Sequence, residues 1–163
     1  MANYYFSEEH NLFRSSLRDF LNKEVAPNID SWEENRQTPK EIWKKMGDMV
    51  FLGLSYSEKY GGLGLDFYYD VIFTEEVSKM YSGGFAANVS VVQYISGPYF
   101  LKHGSDALKE KYLPGITSGE LVSSIAITEH GAGSDAANIQ TKAELQSDHY
   151  LVNGSKTFIT NAV

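Results

Sequence analysis

A mainly α-helical chain with a small β part at its C-terminal end is what this sequence predicts, and three observations predict it. Over most of the first 119 residues, apolar side chains recur at helical spacing behind capping residues and acids. From about Glu120 the pattern becomes short apolar runs separated by turn residues, which suits strands. The composition, 42% hydrophobic and 13% aromatic over 163 residues, is globular, and a chain of this size buries roughly 70% of its unfolded surface. The expected architecture is an N-terminal up-and-down helical bundle over 1–119, followed by the beginning of a β-domain over 120–163.

Ser7 caps a helix that runs to about residue 25, with Glu8 and Glu9 in the first turn, where the helix dipole favours acids. Leu12, Phe13, Leu17, Phe20 and Leu21 form its apolar face. Thr38-Pro39-Lys40-Glu41 offers a cap hydroxyl, a proline at the first helical position and a glutamate at the third, which is a capping box. The second helix follows it, with Ile42, Trp43, Met46, Met49 and Val50 inward. Tyr60-Gly61-Gly62-Leu63-Gly64 breaks the helical pattern and reads as a loop. Residues 66–80 have helical spacing at Val71, Ile72 and Val77, and 85–103 form a long apolar segment expected to lie centrally. Phe85, Tyr94, Tyr99 and Phe100 are assigned to the core. A short helix over 107–112 is stopped or kinked by Pro114.

In the C-terminal part, 121–128 is a dense apolar run that suits a buried strand. Residues 141–145 and 150–152 read as strands across Ser147-Asp148. Asn153-Gly154 is a two-residue hairpin signal leading into a further strand over 156–160. About 44 residues of sheet are too few for a self-sufficient domain, so the chain is expected to be part of a longer protein.

Charge and composition exclude several functions. Acidic residues outnumber basic ones by 21 to 14 and no Lys/Arg block occurs, so the counterion release that drives nucleic-acid binding has little to act on. With no cysteine, there is no disulfide, thiolate metal site or cysteine nucleophile. His10, His103, His130 and His149 share no ligand spacing, so no metal is expected. Ser90 and Ser96 lie in no nucleophile elbow. Glu75-Glu76 face different sides of a helix and read as solvated or structural. No segment has the length of a membrane span and no export pattern opens the chain, so a cytoplasmic protein is expected.

The most informative run is Ile125-Ala126-Ile127-Thr128-Glu129-His130-Gly131-Ala132-Gly133-Ser134-Asp135, joined later by Lys156-Thr157-Phe158-Ile159-Thr160. Small turn residues let backbone N–H groups approach an anion, and the hydroxyls of Thr128, Ser134 and Thr160 supply oriented donors. A lone G-x-G is a weak signal, because the third glycine of the dinucleotide fingerprint and a helix opening on it are missing. Glu129 and Asp135 suggest paired carboxylates for acid–base work, but the stronger reading is that one makes a structural hydrogen bond or caps the turn.

This run resembles the first signature of the acyl-CoA dehydrogenases. The resemblance covers essentially the whole chain: Glu58-Lys59-Tyr60-Gly61-Gly62-Leu63-Gly64-Leu65-Asp66, Glu75-Glu76, Lys111-Tyr112-Leu113-Pro114, Ser118-Gly119-Glu120 and Asn153-Gly154-Ser155-Lys156 fall in the family's order and spacing. It implies a helical N-terminal domain, a β-barrel-like middle domain and a C-terminal helical domain that is absent here. It implies FAD as cofactor, lined by Ile125, Ala126, Ile127, Thr128, Glu129, Gly131, Ala132, Gly133, Ser134, Phe158, Ile159 and Thr160, with Ser134 also near the acyl-CoA. Phe158 would pack on the isoalloxazine and Thr160 would lie near its N5.

The same resemblance implies an acyl-CoA substrate, an electron-transfer flavoprotein as acceptor and a homo-oligomer, tetramer or dimer, with no nucleic acid and no membrane. The family's catalytic base is a glutamate of the C-terminal helical domain, so no residue of this chain is assigned that role, and the chain alone is expected to be inactive. The scaffold also serves acyl-CoA oxidases and flavin monooxygenases, and a non-catalytic helical interaction module is the reading from another class. His130 stands where the family usually has proline, and Phe158 where tryptophan is common.

Overall fold

The computed structural model of the chain describes residues 5–162, so residues 1–4 and 163 of the expected domains lie outside the described residues. The chain divides into two compact units, with the break between Ser123 and Ser124.

The first unit is helical. α1 (Glu8–Phe20) starts where Ser7 accepts a hydrogen bond from the His10 N–H, while the Ser7 N–H donates to His10 Nδ1. It passes into a π-turn, Leu21–Val25, and a 3-10 turn, Ala26–Asn28. Then come α2 (Ile29–Asn35), α3 (Lys40–Asp48), α4 (Phe67–Ser78), α5 (Gly83–Ser90), a second π-turn (Val91–Ser96), α6 (Gly97–His103) and α7 (Asp106–Thr117). Leu17, Leu21, Trp43, Met46, Phe73, Val77, Phe85, Val89, Leu113 and Ile116 meet in one apolar core. The predicted bundle is present, and the long apolar segment forms one helical path across α5, its π-turn and α6.

α1 and α4 are also joined by charge. Glu76 is 1% exposed and receives Arg14, Arg18 and Lys79 at 2.7–2.9 Å. Burial alone would raise this carboxyl, but the bonds from Arg18, Lys79 and Arg14 outweigh it and hold it at about 2. The structural reading of Glu76 is the one realised, and the solvated one is not.

Several expectations fail in this unit. Leu12 and Tyr99 are exposed rather than core. Thr38 does not cap α3: its hydroxyl accepts from Asn88 instead, and Pro39 occupies the cap position without a side-chain bond. Met49 and Val50 do not continue the inward face. Val50 takes a left-handed φ of 57°, its N–H bonds Gly47 and the Phe51 N–H bonds Met46, which ends the helix in a Schellman turn. Burial of Phe51 and Leu52 just beyond offsets the strain of a β-branched residue there. Pro114 does not stop α7, because buried Leu113, Ile116 and Thr117 on its inner face carry the helix through it.

The second unit holds β1 (Lys142–Leu145) and β2 (Tyr150–Asn153), an antiparallel hairpin with Leu145 opposite Tyr150 and the Gln146 N–H bonded to His149 across the turn. This is the pair predicted across Ser147-Asp148. The strands expected over 121–128 and 156–160 do not form, and neither does a hairpin at Asn153-Gly154. The apolar run is divided instead. Leu121 turns back onto α7, with its N–H bonded to Gly115, while 125–128 belongs to the second unit and has no regular secondary structure. Gly154 serves close packing rather than a turn, since a Cβ there would lie 2.1 Å from the Thr141 hydroxyl.

Candidate functional site

Within the second unit, the segments 125–135 and 156–160 lie side by side. The Thr157 N–H donates to the Thr128 carbonyl at 3.0 Å, and Lys156 Nζ donates to the Ile127 carbonyl at 2.7 Å. At the end of the first segment a turn closes through two bonds, Glu129 N–H to Ala132 O at 2.9 Å and Ala132 N–H to Glu129 O at 3.2 Å. His130 and Gly131 form its corner, and the turn closes without a proline. Asn138 Nδ2 holds the Gly131 carbonyl at 3.1 Å from outside.

Glu129 is the polar centre of this unit. Its carboxylate accepts from the Gln140 N–H at 2.8 Å, the Thr141 N–H at 2.9 Å, the Thr141 hydroxyl, and Lys156 Nζ at 2.9 Å. The Thr141 hydroxyl, then Lys156, then the two N–H groups hold its carboxyl at about 2. Such a carboxylate is a fastener and a poor proton acceptor. Gln140 and Thr141 are the partners that residue spacing does not reveal, because a turn and a 3-10 segment separate them from Glu129. Asp135, the other acid of the run, is exposed and is not among Glu129's partners.

The remaining predicted residues are placed as follows. Ile125 and Thr128 are half-buried, Ala126, Ile127, Gly131, Gly133 and Ser134 are exposed, and Ala132 is buried. Ile159 and Thr160 are half-buried, whereas the Phe158 ring is 92% exposed on a backbone with φ 56°. A left-handed conformation in a bulky residue costs about 1–3 kcal/mol and marks positions held for a reason other than local packing.

These groups suit a flat, polar-edged, anionic cofactor. The hydroxyls of Thr128, Ser134 and Thr160 bond no other described residue, nor do the N–H groups of Gly131, Gly133 and Ser134. Neither glycine has a positive φ, and a Cβ built on either meets nothing within 4 Å. The turn itself therefore does not need glycine there; what glycine provides is close approach from outside. Donors, open backbone and an uncovered aromatic plane fit a flavin nucleotide.

Among the described residues there is no group of three or more acidic or histidine side chains able to hold a metal, and no helix is long and apolar enough to cross a membrane.

The chain matches known proteins along nearly its whole length. Residues 7–120 match the family model for the N-terminal domain of acyl-CoA dehydrogenase, and residues 124–163 match that for its middle domain. The chain is 38% identical over 156 residues to the mitochondrial long-chain specific acyl-CoA dehydrogenase of Mus musculus, covering 96% of this chain and 36% of that protein. It superposes on an acyl-CoA dehydrogenase from Geobacillus kaustophilus with a TM-score of 0.93 at 44% identity, covering 98% of this chain and 42% of the other. An acyl-CoA dehydrogenase from Bacillus anthracis complexed with FAD gives a TM-score of 0.89 at 34% identity, covering 99% and 28%. The chain thus spans less than half the length of each of these three proteins.

Proposed function

The chain belongs to the acyl-CoA dehydrogenase family, and from that premise we propose that the whole protein is an FAD-dependent oxidoreductase converting acyl-CoA thioesters to 2,3-enoyl-CoA. The observation that carries this reading is the open strip of 125–134 beside Phe158 and Thr160, where the hydroxyls of Thr128, Ser134 and Thr160 and the N–H groups of Gly131, Gly133 and Ser134 bond no other described residue. FAD, when bound, supplies the acceptor for a hydride leaving the acyl β-carbon as the α-proton is removed. The residues of this chain bind, orient and exclude water. Thr128 would donate to the pyrimidine edge of the ring and Thr160 would donate near N5. Phe158 would cover the ring plane with an apolar face. Ser134 and the N–H groups about Gly133 would hold phosphate, with Ser134 also near the acyl-CoA. Ile125, Ala126, Ile127, Glu129, Gly131, Ala132 and Ile159 line the strip through backbone or apolar atoms.

The same proposal assigns 1–119 to a helical domain and 120–163 to the start of the middle domain. It also places the base outside this chain, electrons on an electron-transfer flavoprotein, and the enzyme in fatty-acid metabolism as a homotetramer or dimer. Purification of the full-length protein tests it. A yellow protein with FAD bound near one equivalent per chain is expected, and a colourless protein that cannot be reconstituted with FAD would sink the proposal.

A further inference from the structure

Lys156 stands out among the cations of the second unit, because its ammonium bonds one segment of the strip directly and another through a shared anion. Nζ donates to the Ile127 carbonyl at 2.7 Å and to Glu129 Oε1 at 2.9 Å, and its side chain is only 20% exposed. Glu129, 9% exposed, in turn holds the N–H groups of Gln140 and Thr141 at the entry to β1. One ammonium and one carboxylate therefore fasten three stretches, 127–129, 140–141 and 156–157. Phe158 and Thr160 follow Lys156 by two and four residues, and only the Thr157 N–H to Thr128 bond otherwise ties that stretch to the strip among the described residues.

We propose that Lys156 is the positioning residue of the cofactor wall: by holding the Ile127 carbonyl it sets the distance between Thr128 on one segment and Phe158 and Thr160 on the other. The proposal rests on the flavin reading above. A lysine suits the task because its compact ammonium reaches a carbonyl and a carboxylate at once, with donors in different directions. The cluster is short of alternatives. Without Lys156, Glu129 keeps its two backbone donors and the Thr141 hydroxyl, so the turn and the entry to β1 stay joined. The 156–160 segment alone loses its side-chain anchor.

The test uses the full-length protein, apo and loaded with FAD, in wild-type, Lys156→Met, Lys156→Arg and Glu129→Gln/Lys156→Met forms. Flavin fluorescence titration of the apoproteins gives the FAD dissociation constant, the visible spectrum of the bound flavin reports the wall's donors, and thermal unfolding of the apoproteins reports folding. Lys156→Met is expected to weaken FAD binding about tenfold or more and to shift the flavin bands. Lys156→Arg should recover most of that affinity, and the double variant should stay weak because the Ile127 anchor is still missing.

Recovery of FAD affinity in the double variant would overturn the proposal, since it would trace the defect to an unpaired carboxylate. Unchanged affinity and spectrum in Lys156→Met would overturn it as well. Loss of affinity that merely parallels a collapse of apoprotein unfolding temperature in every variant, Lys156→Arg included, would assign Lys156 to folding alone and so contradict it. Failure of the wild-type protein to bind FAD would instead reject the flavin reading itself.

Discussion

The two units of this chain are ordered by different forces. In the helical unit, large side chains such as Leu17, Phe51, Phe73 and Leu113 are fully buried, and each contributes about 1.5–3 kcal/mol by leaving water. In the described part of the second unit, Ala132 is the one buried apolar residue, while Leu145, Tyr150, Leu151, Val152 and Phe158 are exposed. Its order comes from hydrogen bonds: the short β1–β2 ladder, the closed turn at Glu129, and the fasteners on Lys156 and Thr141. The difference teaches where each unit tolerates change. A polar scaffold leaves donors and an aromatic face open for a cofactor, which an apolar core cannot do.

The comparison is broken most forcefully in the core. Phe73→Ala removes a ring 1% exposed and should cost about 3–5 kcal/mol, read by chemical denaturation followed at the helical signal. Glu76→Gln leaves Arg14 and Arg18 facing a neutral group and should cost about 3 kcal/mol at neutral pH. It also carries a pH signature. Glu76 has its carboxyl lowered from 4.5 to about 2 in the folded state, so its contribution is full above pH 4.5 and fades as pH falls toward 2. The variant should lose that part of the acid dependence.

A smaller and more local effect is expected from Glu129→Gln. Its removal should speed proteolytic cleavage within 125–160 while the unfolding midpoint of the helical unit stays put, and a fall of both together would contradict the division between units. The smallest effect should come from Tyr150→Ser. This side chain is exposed on the hairpin, so the unfolding free energy should move by no more than about 0.5 kcal/mol. A loss several times larger would show that the ring is covered in the whole protein.

Much of the helical unit was legible because capping and 3.6-residue periodicity are local signals. Ser7, the acids after it, and the faces built on Leu17, Trp43, Ile72 and Val77 all behave as spacing dictates. Errors arose where a distant contact outcompeted a local preference. Thr38 is taken by Asn88 and Pro114 is overridden by the burial of its neighbours. Asn153-Gly154 looks like a hairpin turn, but its glycine is required by the nearness of Thr141. α2 was missed because its seven residues are too short for a period to emerge.

The candidate strip was visible as a motif, since Thr128 to Ser134 lie consecutively. Its fastening was not, because Gln140 and Thr141 come back to Glu129 past a turn and a 3-10 segment, and Lys156 reaches Ile127 and Glu129 from beyond the hairpin. Sequence distance hides contacts whose closure depends on the fold in between.

The central claim is that the open strip of the second unit is a flavin wall serving acyl-CoA oxidation. Its most direct test is anaerobic addition of an acyl-CoA to the full-length, FAD-loaded protein while the flavin band is followed, for wild type and for Thr160→Ala. The account predicts bleaching of the oxidised band in the wild type, and a slower bleaching rate in the variant with little change in acyl-CoA affinity. A flavin band that no acyl-CoA bleaches, or a Thr160→Ala protein reduced at the wild-type rate, would contradict it.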